Sequence, residues 1–136
     1  MERPQMRMSG PVLDAPDVTR LTRFYERFLG WNVEELAGPR PGHPPGDGWS
    51  RLRPADRNTK IEIQFEEHYT RPVWPGAANT QGMQLHLDIW VEDVAAGVAW
   101  AIECGATEAE HQPPDRNHSR LRVMLDPAGH PFCLWS

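Results

Sequence analysis

At 136 residues, with 39% hydrophobic and 24% charged side chains, the chain has ordinary globular composition. It is long enough for a core without staples and too apolar for a disordered tract. A net charge of −5 with no clustered Lys or Arg argues against a nucleic-acid partner, and no apolar run approaches the roughly 18 residues of a membrane span.

Met1 to Met8 has no apolar signal core, so a cytoplasmic location and no membrane partner are expected. Cys104 and Cys133 then read as reduced, mostly buried thiols rather than a pair.

In chain order, a short strand at 11–15 precedes a helix over 18–29. There Val18, Leu21, Phe24, Tyr25, Phe28 and Leu29 fall on one face and Arg20, Arg23, Glu26 and Arg27 on the other. Asp17 is a natural N-cap, and Gly30 a natural left-handed stop. A strand at 31–36 leads to a loop at 38–48, where four prolines and four glycines rule out helix and central strand. Strands follow at 49–53 and 61–66, the latter alternating Ile61, Ile63 and Phe65 with Glu62, Gln64 and Glu66. Residues 67–82 read as a connector.

Met83, Leu85, Leu87, Ile89 and Val91 alternate with Gln84, His86, Asp88, Trp90 and Glu92, which predicts a strand over 83–91 with the aliphatic set under a helix. A second helix over 94–104 carries Val94, Val98, Ala101 and Ile102 on one face, with Asp93 as its cap and Gly105 as its stop. A short strand at 106–111 follows. Leu121, Val123 and Leu125 then alternate with Arg120, Arg122 and Met124, the aliphatic set again expected under the helices. The last strand sets Phe132 and Leu134 against Cys133 and Trp135.

The two halves repeat. Val12 to Val18 superposes on Asp88 to Val94, and the order strand, helix, three strands occurs twice. Pro16-Asp17, Phe24 to Trp31, His86-Leu87-Asp88 running into Val91-Glu92-Asp93, Gly105-Ala106 and above all Leu125 to Cys133 resemble the vicinal oxygen chelate superfamily, in its glyoxalase-like, bleomycin-resistance-like branch.

The resemblance covers nearly the whole chain. It implies an α+β fold in which two β-α-β-β-β modules form a curved mixed-sheet cup with the helices outside. The expected organisation is a single domain over 1–136: module 1 at about 8–66, the connector, then module 2 at about 83–136. It also implies frequent homodimerisation. The superfamily spans metal-dependent enzymes and proteins that only sequester antibiotics, so fold alone does not choose a function.

Metal-dependent relatives carry His or Glu ligands on the first and last strand of each module. Transferred residue by residue, those positions are Gly10, Glu62, His86 and Cys133. Glycine offers no ligand atom, and a thiol is a poor substitute for a hard carboxylate. No cofactor is therefore called for, a divalent metal being the one that the resemblance allows.

Alternation places Glu62, Gln64, His86, Asp88, Trp90 and Trp135 on the cup face, and these are the candidate ligand-contacting residues; no catalytic residue is assigned. His86 and Asp88 read equally as a polar network or as a pocket floor. Cys133 reads as an inert thiol, and His130 as serving the turn before the last strand. Six tryptophans are many for this composition. Trp90 and Trp135, with Trp49, Trp74 and Tyr69 near loops, suit either an aromatic ligand cup or a dimer interface. The expected partner is a small organic ligand. The leading expectation is a binding or sequestering protein, and its rival is a lyase, isomerase or dioxygenase.

Overall fold

A computed structural model describes residues 1–136. β1 (Val12–Ala15) leads into α1 (Val18–Leu29), then β2 (Asn32–Ala37), β3 (Trp49–Arg53) and β4 (Ile61–Phe65). The second half gives β5 (Leu87–Trp90), α2 (Val94–Cys104), β6 (Thr107–Glu108), β7 (Leu121–Leu125) and β8 (Pro131–Trp135). Each half is a four-stranded mixed sheet, ordered β1-β4-β3-β2 and β5-β8-β7-β6. In each, the strand before the helix lies parallel to the last strand of its half and the rest pair antiparallel. No helix is long and apolar enough to cross a membrane.

The helix ends form as their chemistry dictates. The Asp17 carboxylate accepts from the Arg20 amide at 2.9 Å, and Asp93 accepts from that of Ala96 at 3.0 Å. Gly30 and Gly105 close the helices at φ 66° and 113°, where a side chain would be strained.

One core joins the halves. Phe24 and Phe28 of α1 meet Phe132 of β8, with ring centroids 6.3 and 5.4 Å apart, and all three are buried. The Tyr25 hydroxyl, also from α1, donates to the buried Asp126 carboxylate at 2.7 Å.

Four expectations need correction. The strand over 83–91 is only Leu87–Trp90, and Leu85, expected under a helix, is 83% exposed. Leu87 pairs with Phe132, so any extension toward Met83 would have to pair with the turn at 126–130, which offers no straight edge. In β7 the faces are exchanged. Met124 and Arg122 pair with Phe132 and Leu134 on the core side, leaving Leu121 and Val123 beside Trp135 and Cys133 on the helix-free face. The strand has apolar residues in both phases, and β8 decides between them. The strand at 106–111 shrinks to two residues. On α2, Ile102 is half exposed rather than part of the buried stripe.

Candidate functional site

Alternation along β5 and β8 builds the floor. With Leu87, Ile89, Phe132 and Leu134 turned to the core, Asp88 faces Cys133 and Trp90 faces Trp135 on the helix-free side. His86 lies just before β5, its Nε2 3.1 Å from Asp88 Oδ1. One ligand-type atom each from His86, Asp88 and Cys133 lie within 4.8 Å of one another. Burial first, and then the neighbouring Asp88 carboxylate, push the Cys133 thiol up to about 11, so it stays protonated at neutral pH.

His86 and Cys133 of this cluster, but not Asp88, border a cavity of about 160 Å³ walled also by Trp74, Met83, Leu121 and Val123. The exchange of faces in β7 is what makes its wall apolar. A second cavity of about 300 Å³ runs between β1 and the stretch at 81–87, with Val12, Asp14, Tyr69 and Leu85 on its walls. Met83, His86 and Pro131 line both, so the two form one groove with His86 at the junction.

The other expected site residues fall outside it. Glu62 is held by Lys60, and by Arg51 Nε at 3.0 Å. Those cations, Lys60 first, keep its carboxyl below the usual range against the opposing effect of burial. Gln64 donates to Asp14 Oδ1 at 2.7 Å, and so reaches the groove only by positioning Asp14. Trp90 and Trp135 are 61% and 43% exposed and lie beside the groove without lining it. Trp74 closes over the groove, its ring 5.6 Å from that of His111. Trp49 instead lies on β3 beneath the Arg51 guanidinium.

Sequence reasoning missed Met83, Leu121, Val123 and Pro131 as wall residues. Met83 lies before the start of β5, and Leu121 and Val123 face the groove because β8 sets the phase of β7. Asp126 gave one usable signal, the Asp126-Pro127-Ala128-Gly129-His130 turn, which sets a carboxylate against the amides that follow it.

The four metal-facing positions carried by the resemblance do not fit a hard divalent ion. A Cβ on Gly10 would lie 2.8 Å from the Lys60 carbonyl oxygen, so no ligand-bearing side chain fits there without displacement. Glu62 is occupied by two cations that would repel a third. In the second half only the mixed His86, Asp88 and Cys133 set remains, its thiol protonated.

A family model described as a glyoxalase-like domain matches residues 11–135. No curated protein matches in sequence. Among solved structures, a glyoxalase family protein from Enterococcus faecalis shares 22% identity over 96% of this chain and 97% of its own, with TM-score 0.66. The fosfomycin resistance protein FosX of Listeria monocytogenes, in complex with Mn(II) and a dihydroxypropylphosphonic acid, shares 14% identity over 97% and 93%, with TM-score 0.67. The trypanothione-dependent glyoxalase I of Leishmania major shares 20% over 97% and 87%, with TM-score 0.62. At these identities the likeness is one of fold.

Proposed function

The chain belongs to the glyoxalase-like domain family, and from that premise we propose that it binds a small organic molecule in the groove centred on His86. The observation that carries this reading is the junction of the two cavities at the His86 imidazole, whose Nε2 lies 3.1 Å from Asp88 Oδ1. Apolar walls with a few convergent polar groups are the usual make-up of a small-molecule site. Trp74, Met83, Leu121 and Val123 supply buried area, while His86 and Asp14 supply direction. Trp90 and Trp135 extend the aromatic surface at its rim.

The function proposed is sequestration of a metabolite or antibiotic-like compound without a metal, because the metal-facing positions are blocked by Gly10 packing and by the Lys60 and Arg51 cations. The exposed Trp90, Trp135, Val12 and Leu85 supply apolar surface for a homodimer, which light scattering checks.

A thermal-shift screen of small aromatic and heterocyclic compounds tests the binding reading. A ligand at about one hundred times its Kd stabilises the native state by about 2.7 kcal/mol, a readable rise in Tm. The expected outcome is a set of hits whose shift disappears in His86→Ala while that variant alone melts near the parent. Hits that are indifferent to His86→Ala would place the ligand elsewhere.

A further inference from the structure

The cavity of about 300 Å³ is also lined by His130, which the binding reading does not use, and behind it lies Asp126. The buried Asp126 carboxylate is fully engaged. Its Oδ1 accepts from the Ala128 amide at 2.9 Å and the His130 amide at 3.0 Å. Its Oδ2 accepts from the Tyr25 hydroxyl at 2.7 Å and lies 2.8 Å from His130 Nδ1. An ionised carboxylate can only accept, so opposite ionised Asp126 the shared proton sits on Nδ1, and in the Nδ1–H tautomer Nε2 carries a lone pair.

The one hydrogen-bonding contact of Nε2 is the Tyr69 hydroxyl at 3.4 Å, whose proton is directed to the Ala128 carbonyl at 2.7 Å. Burial first, and then Asp126, push that phenol up to about 12, so it stays protonated and keeps this bond. Nε2 therefore has no protein donor. His130 lines the cavity together with Val12, Met83 and Leu85. The other groups that face the ring or the cavity are Tyr25 behind Asp126, Asp14 on β1 and His86 at the junction. Arg71 lies over Gly129 and donates to the Pro127 carbonyl.

We propose that Asp126 and His130 form a carboxylate–histidine base for a neutral, single-ring molecule bearing a weakly acidic hydroxyl, a phenol or an enol, bound in the groove already assigned. The proton passes from the ligand oxygen to Nε2, and the electron pair of the broken O–H bond stays on the oxygen. The imidazolium that forms is stabilised by Asp126 through the Nδ1 proton. A cavity of about 300 Å³ accommodates one substituted ring. Its apolar walls favour entry of the neutral form, and His130 supplies the counter-charge once the ligand ionises. The inference rests on the groove reading for the ligand's location, and adds the ligand class and the proton transfer.

The test uses 4-nitrophenol, whose anion alone is yellow, at a pH below the phenol's own pKa. With excess protein, the phenolate-to-phenol ratio should rise about tenfold over buffer, equivalent to a one-unit fall in apparent pKa. The rise should vanish in His130→Gln, with folding checked by circular dichroism. On the parent protein, nitrogen-15 spectra of the histidine rings should show His130 as the Nδ1–H tautomer, turning to imidazolium as 4-nitrophenol is added. That second readout stands if His130→Gln fails to fold. Shifts at His86 and His130 without phenolate would overturn the base and leave the groove standing. No shift at either ring would overturn the phenol assignment, and the thermal-shift screen would then judge the groove alone.

Discussion

Cys133 shows how neighbours rather than identity fix a side chain's chemistry. A half-buried thiol beside Asp88 is a poor nucleophile, because both burial and the carboxylate disfavour the thiolate. Alkylation of Cys133 by iodoacetamide, followed by peptide mass spectrometry, should therefore be slow at pH 8 and reach half its limiting rate near pH 11. Asp88→Asn should move that midpoint down, but not to the value of a free thiol, since burial is the larger cause. A midpoint that ignores Asp88→Asn would mean the two groups do not interact. The sequence showed that Asp88 and Cys133 share a face, because strand alternation is a local rule. It could not show that Glu62 is neutralised by Lys60 and Arg51. Those contacts depend on β3–β4 pairing and on the reach of long side chains across it.

At the scale of elements, the loop at 38–48 is ordered by a single carboxylate. Asp47 is buried and accepts from the Arg40 amide at 2.9 Å, from Arg40 Nε at 2.8 Å and from Arg40 Nη2 at 2.8 Å. The neighbouring Gly46 carbonyl accepts from the Val18 amide at 3.1 Å, so the loop also holds the first turn of α1. Gly46 lies so close that a Cβ there would be 2.1 Å from the Pro16 carbonyl oxygen. The Arg40 guanidinium, with the Arg40 amide next, holds the Asp47 carboxyl well below the usual range.

A depressed folded-state pKa means stability that is present above the ordinary carboxylate value of about 4 and fades as pH falls toward the folded value. Asp47→Asn should accordingly melt below the parent at pH 7, and the gap should narrow from about pH 4 downward. A gap that widens on acidification would reverse the assignment. Helices α1 and α2 were legible to the residue because caps and stops are local. The strands were less so: β7 has apolar residues in both phases, and the length of β5 is limited by where β8 begins.

At the scale of the whole molecule, the two sheets share no strand ladder, yet their helix-facing sides share one core. Phe24 and Phe28 meet Phe132 across the halves, Trp100 Nε1 donates to the Phe28 carbonyl at 3.1 Å, and Arg27 pairs with Glu103 at 3.1 Å. The repeat in the sequence announced two similar units but not their dependence on one another, since cross-half packing leaves no local pattern.

Separating the halves would uncover these rings and strand the Asp126 carboxylate without its Tyr25 donor, so neither half should persist alone. Unfolding in urea should then be a single transition, with tryptophan fluorescence and far-ultraviolet circular dichroism coincident. Phe132→Ala should lower the midpoint by a cost of about 3–5 kcal/mol, as for other large core aromatics, without splitting the curve. Tyr25→Phe should cost about 1–3 kcal/mol by removing one donor from a buried acceptor. The discriminating result is the shape in the Phe132→Ala variant. If the halves were independent units, the loss would fall on the second alone, and the two probes would separate into steps. Coincident curves shifted as a whole require that the ring stabilise both halves at once, which is what its contacts with α1 imply.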